Sequence, residues 1–89
     1  MEEKDVLKKA IMQWGKELQL VMCIEEMSEL TKAIVKELRG KRDIDNIKEE
    51  IVDVEIMMDQ LKLIYIDEAD FKKMKAKKIK RLDLIIRRD

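Results

Sequence analysis

Glu25-Glu26-Met27-Ser28-Glu29-Leu30, a basic break at Arg39-Gly40-Lys41-Arg42, and then Glu49-Glu50-Ile51-Val52-Asp53-Val54 form the stretch around which the chain is organised. Glu26 and Glu29 are three residues apart, as are Glu50 and Asp53. In a helix this spacing puts two side chains on one face, roughly one turn apart along the axis. Each half therefore presents a pair of carboxylates. Like charges so placed weaken an isolated helix by roughly 0.2–0.5 kcal/mol. Two such pairs facing each other would repel more strongly, unless a cation sat between them.

Placement lifts these pairs above chance. Charged residues make up 45% of the chain, so some carboxylate pairs arise without meaning, as Glu2, Glu3 and Asp5 show. At about 100° per residue, however, Ile47, Val54, Met57, Met58, Leu61 and Ile64 cluster in one sector of their helix. Glu50 falls inside that sector, with Asp53 at its margin. An unpaired carboxylate among apolar residues is costly, so a solvated face does not explain Glu50. In the first half, Glu26 and Glu29 share a sector with Met22 and Ala33, beside an apolar stripe of Cys23, Met27, Leu30 and Ile34.

Working outward, a first helix is expected over Glu3 to Trp14, with Val6, Leu7, Ala10, Ile11 and Trp14 on one side. Trp14 reads as a core or lid residue, and as a weaker candidate for stacking on a base. Gly15 marks a bend. The second helix is expected from Glu17 to Arg39, carrying Leu20, Cys23, Met27, Leu30, Ile34 and Leu38 on its stripe, with Gly40 as the stop signal. Asp43 and Asn46 both have the chemistry of a cap for a third helix over Ile44 to Ile64, and Asn46-x-x-Glu49 has the form of a capping box. The short connection makes helices two and three antiparallel neighbours. The two carboxylate pairs then stand at matching heights on either side of the turn, and this is the geometric argument for one shared metal site.

The third helix also carries a second apolar strip, Val52, Ile56 and Leu63, so it is central or lies in an oligomer interface. A fourth helix is expected after Asp67, with Phe71, Met74, Ile79, Leu82 and Ile86 facing inward and the bases between Lys72 and Arg81 mostly facing out. The fold class expected is all-α, a four-helix bundle in one domain, residues 1–89.

Composition agrees. The chain has no proline and only two glycines, Gly15 and Gly40, and is rich in helix formers. A chain this short buries a modest core and gains from association. With a single cysteine, Cys23, there is no disulfide framework, and the residue reads as a small core side chain. No apolar run reaches membrane length and the start is too charged for a signal peptide, so a cytoplasmic protein without membrane attachment is expected. Histidine is absent, which removes His-dependent triads and His-based zinc sites. Carboxylates without histidine or paired cysteines favour a hard cation, Mg²⁺ or Mn²⁺.

The net charge is zero but unevenly spread. Residues 1–71 hold eighteen acids and eleven bases, a net −7, whereas residues 72–89 hold nine bases and two acids, a net +7. The basic end has the charge to meet nucleic acid, a phosphorylated ligand, or the acidic remainder of the molecule. A nucleic-acid module normally shows an overall basic excess, so that reading is the weaker alternative. A purely structural helical oligomer is the other, and it leaves Glu50 on an apolar face unexplained.

The paired motifs resemble the all-α nucleoside triphosphate pyrophosphohydrolase superfamily, the MazG-like proteins. Ile24-Glu25-Glu26-Met27-Ser28-Glu29-Leu30 and Glu49-Glu50-Ile51-Val52-Asp53-Val54 are similar to that family's EExxEL and EExxDV. The likeness covers about Trp14 to Arg81. It implies hydrolysis of a nucleoside triphosphate between the α and β phosphates, with Mg²⁺ held by Glu26, Glu29, Glu50 and Asp53. It also implies supporting or water-activating roles for Glu25 and Glu49, phosphate contacts from Lys32, Lys36 or Lys75, and a homodimer or homotetramer. The family often carries Lys-x-x-(Lys)-Asn-x-x-Arg on its fourth helix. Here Lys72 to Arg81 supplies the bases but no Asn.

Overall fold

The structure, a computed structural model, describes residues 1–88. Four helices follow one another and the described residues contain no strand: α1 Glu3–Trp14, α2 Lys16–Leu38, α3 Ile44–Tyr65 and α4 Glu68–Arg88. The junctions are built from the residues that punctuate the sequence. Gly15 takes φ 86° and ψ 154°, a conformation open to glycine, and separates α1 from α2 without any intervening loop. Its N–H still donates to Ile11 O at 2.8 Å.

The turn after α2 closes with Gly40 at φ 83°. The Gly40 N–H donates to Glu37 O at 3.0 Å and the Lys41 N–H reaches Lys36 O at 3.0 Å. This pair of bonds is the Schellman pattern, which satisfies carbonyls that the helix end would otherwise leave open. Asp43 caps α3, its Oδ1 accepting from the Asn46 N–H at 3.2 Å. The cap is therefore Asp43 alone of the two candidates: Asn46 is the capped residue, not the cap. Asp67 caps α4 in the same way, accepting from the Asp70 N–H at 2.8 Å. Replacing an N-cap aspartate by alanine costs about 1 kcal/mol. For a domain of this size, Asp43→Ala is therefore expected to lower Tm by about 4–8 °C. An unchanged melting curve would show that the cap does not hold the hairpin turn.

α2 and α3 form the central antiparallel hairpin, and α1 rests on both. The inward line of α2 runs Gln19, Cys23, Glu26, Leu30, Ala33 and Glu37, spaced alternately four and three residues apart. Cys23 is 2% exposed and Ala33 3%. Two small residues on the contact line let the backbones of α2 and α3 come close. The expected stripe through Leu20, Met27, Ile34 and Leu38 shares only Cys23 and Leu30 with the observed one. Met27, Ile34 and Leu38 are exposed, so the helix sits rotated relative to the sequence expectation. On α3, Met57 and Gln60 are buried and Ile47, Glu50, Val54, Leu61 and Ile64 half-buried.

α4 departs most from the bundle expected. It contains no buried residue. Phe71 is half-buried, with the Lys62 ammonium 4.0 Å from its ring centre, while Met74, Ile79, Leu82 and Ile86 are exposed rather than facing inward. Within one chain the arrangement is thus three packed helices and a projecting fourth. The radius of gyration is 16.1 Å, against about 12 Å for a compact chain of this length. Among the described residues no helix is long and apolar enough to cross a membrane.

Candidate metal centre

The hairpin brings the two acidic motifs face to face. Glu26 lies on the inward line of α2, and Glu50 and Asp53 lie on α3 opposite it. One carboxylate oxygen from each of the three falls within 4.8 Å of the others. Glu26 and Glu50 are half-buried and Asp53 is exposed, so the cluster opens to solvent on its Asp53 side. The Glu50 Oε2 atom is buried and has no hydrogen-bond donor.

The electrostatics follow from this placement. Removal from water pushes the Glu50 carboxyl above its ordinary value, and Asp53, Glu26, Glu29 and Glu49 push it further in that order. Glu26 is raised as well, first by desolvation and then by Asp53, Glu29 and Glu25. Both effects disfavour the charged form. No lysine or arginine relieves them. Among the described residues the acids in ion pairs are Glu29, Glu37, Asp59, Glu68 and Asp83, none of them in this cluster. Three carboxylates from two helices, with one buried oxygen unpaired, offer oxygen donors alone, the set a hard divalent cation takes.

The other candidate residues are placed less uniformly. Glu29 is near enough to raise the carboxyls of Glu26 and Glu50 but stands outside the tight cluster, its Oε1 atom 3.4 Å from the Lys32 ammonium. Glu25 and Glu49 are exposed beside the cluster, each acting on its neighbour in the chain. Lys36 is exposed. Lys75 lies 5.9 Å from the Phe71 ring centre and lines an open groove of about 680 Å³ together with Leu30, Ile51, Val54 and Met58. Trp14 is 55% exposed at the end of α1. It is not the core residue its helical stripe suggested, because Gly15 ends α1 there and leaves the ring beyond the packed surface.

Sequence reasoning missed two buried polar side chains, Gln19 and Gln60, and one buried polar atom on Glu37. Gln19 and Gln60 are each 5% exposed, and the Gln60 Oε1 and Glu37 Oε2 atoms are buried without donors. With Glu26 and Glu50 they make the hairpin seam unusually polar. The alternate four- and three-residue spacing of Gln19, Cys23, Glu26, Leu30, Ala33 and Glu37 was the available signal, hidden because half of those residues are polar.

No family model, no curated protein and no solved structure matches the chain.

Proposed function

We propose that the chain is a Mg²⁺-dependent nucleoside triphosphate pyrophosphohydrolase, active as a homodimer or homotetramer, which converts a (d)NTP to the monophosphate and pyrophosphate. One observation carries the metal: the convergence of Glu26, Glu50 and Asp53 with no cationic side chain among them. The reaction is carried by the resemblance of the two motifs to the MazG-like proteins.

Glu26, Glu50 and Asp53 would hold the ion, and the resemblance adds Glu29, whose Oε1 atom is paired with Lys32. Mn²⁺ is an equivalent occupant. Such an ion would supply charge neutralisation at phosphate oxygens and a more nucleophilic water. The protein's own task is then to position the triphosphate and the water. Glu25 and Glu49, exposed next to the cluster, are the groups suited to accept the proton that attacking water loses. Lys32 and Lys36, exposed on α2 after the first acidic motif, and Lys75 at the groove are the cations assigned to the phosphates. Trp14 is the one tryptophan and the candidate platform for a base.

A divalent ion that binds the folded chain alone stabilises it by about 2.7 kcal/mol at a hundredfold excess over Kd. Millimolar Mg²⁺ or Mn²⁺ is therefore expected to raise Tm, and EDTA to reverse the rise. A melting curve indifferent to both ions would remove the metal from this reading.

A further inference from the structure

α4 leaves an apolar face uncovered. At about 100° per residue, Met74, Ile85, Phe71, Leu82, Ile86 and Ile79 fall in that order within a sector about 140° wide. Phe71 is half-buried, with the Lys62 ammonium over its ring, and ties the start of the helix to α3. Beyond it Met74, Ile79, Leu82, Ile85 and Ile86 are all exposed. They line about 18 Å of helix. A contiguous apolar patch of this kind marks a surface that meets a protein or a membrane.

Charge selects between them. Residues 72–89 carry a net +7 and residues 1–71 the opposite −7. The two do not neutralise each other across the fold. Where bases of α4 form ion pairs, Lys72 with Glu68 and Arg87 with Asp83, both members lie on α4 itself. Among the described residues Lys73, Lys77, Lys78, Lys80 and Arg81 pair with no acid. Around the axis, Lys72 and Arg81 border the apolar sector on its two sides, and Lys75 and Lys78 lie inside it. The other bases take the opposite side, with Leu84 the one large apolar residue among them. Long cationic side chains so placed lay their aliphatic stems on an apolar phase and hold their charges at its polar boundary. Nucleic acid would engage the bases and leave the five aliphatic side chains in water. An anionic surface over an apolar interior satisfies both halves of the helix.

We propose that α4 lies in the surface of an anionic lipid membrane. The strip from Met74 to Ile86 sits at the boundary of headgroups and acyl chains, and Lys78 and Arg81 meet the lipid phosphates. A helix held this way sinks about 5–10 Å and spans nothing. The sequence expectation of no membrane attachment rested on the lack of a spanning run, which such a helix does not need. The whole chain has a net charge of zero, so the attraction comes from α4 alone, and repulsion keeps the acidic three-helix body on the water side. The inference goes beyond the proposed hydrolysis and does not depend on it, and its test contains neither nucleotide nor metal.

The test is flotation of the full chain with two kinds of vesicle, phosphatidylcholine alone and phosphatidylcholine mixed equally with phosphatidylglycerol. The parent is expected to bind the anionic vesicles about tenfold or more tighter than the neutral ones. That binding is expected to fall in about 1 M salt, which screens charges beyond about 3 Å. Leu82→Asp with Ile86→Asp is expected to weaken it about tenfold or more, at unchanged helix content, since α4 has no buried residue to lose. Lys78→Glu with Arg81→Glu, which leaves the apolar strip whole, is expected to weaken it by a similar factor. A parent that ignores the anionic vesicles overturns the proposal, including one that captures duplex DNA instead or whose α4 is covered by a second copy. So does equal binding to both vesicles, or binding that survives the Leu82 and Ile86 changes and is therefore charge alone.

Discussion

Glu50→Gln is expected to bind Mg²⁺ about 10- to 100-fold more weakly, the scale of loss seen when even an outer group of a metal site is removed, and to lose pyrophosphohydrolase activity. The same substitution is expected to leave the metal-free protein as stable as the parent or more so. Glu50 sits half-buried against Glu26 and Asp53 with one oxygen lacking any donor. An amide keeps the shape and removes the charge. The sign of the pH effect follows. Desolvation and then Asp53 raise the folded-state value of Glu50 above the ordinary 4.5. Below pH 4.5 the group is protonated in both states and contributes nothing. As the pH rises past 4.5 the unfolded chain ionises first, so stability is lost, and the loss is complete above the raised folded value. Glu26 adds a loss of the same sign. Denaturant midpoints of the metal-free parent are therefore expected to fall between pH 4.5 and neutrality more steeply than those of Glu50→Gln. Calorimetry that finds parental Mg²⁺ affinity in Glu50→Gln would take Glu50 out of the site. Parallel pH curves would show that its carboxyl is not strained.

The second large effect concerns the products. Turnover of a nucleoside triphosphate is expected to yield the monophosphate and pyrophosphate, and to stop when EDTA is added. The chain has no histidine and no Gly-rich phosphate loop. Positioned phosphates and a positioned water are what its residues can provide. A triphosphate offers more charge to a metal-carboxylate site than a monophosphate does, so the monophosphate should bind poorly and leave. A panel of canonical and modified (d)NTPs, followed by phosphorus NMR, measures both the preference and the bond cleaved. A diphosphate with free phosphate, or turnover undiminished in EDTA, would overturn the mechanism while leaving the metal question to calorimetry.

The helices themselves were legible. Proline is absent, Gly15 and Gly40 are the only glycines, and each stands at positive φ between helices, where a side chain would be strained. Asp43 and Asp67 mark the starts of α3 and α4 by chemistry that depends on neighbours three residues away. The meeting of Glu26 with Glu50 and Asp53 was legible for a related reason. A short turn forces α2 and α3 to run antiparallel, and equal distances from that turn put residues at equal heights. Local spacing was enough because every step depends on helix geometry and one tight connection.

Tertiary structure alone decided how α2 is rotated about its axis. Periodicity favours the large apolar residues Leu20, Met27, Ile34 and Leu38, but the helix packs through Gln19, Cys23, Glu26 and Ala33. Small side chains permit close backbone approach, a benefit that exists only when a second helix is present to make it. This rotation turns Glu26 inward and leaves Glu29 outside with Lys32, separating two acids that the motif treats alike. The same limit applies to α4. Its amphipathic pattern states that one face should be covered, but a pattern in one chain does not say by what. The open course of α4 is a matter of distant contacts, and so is the buried, donorless oxygen of Glu50.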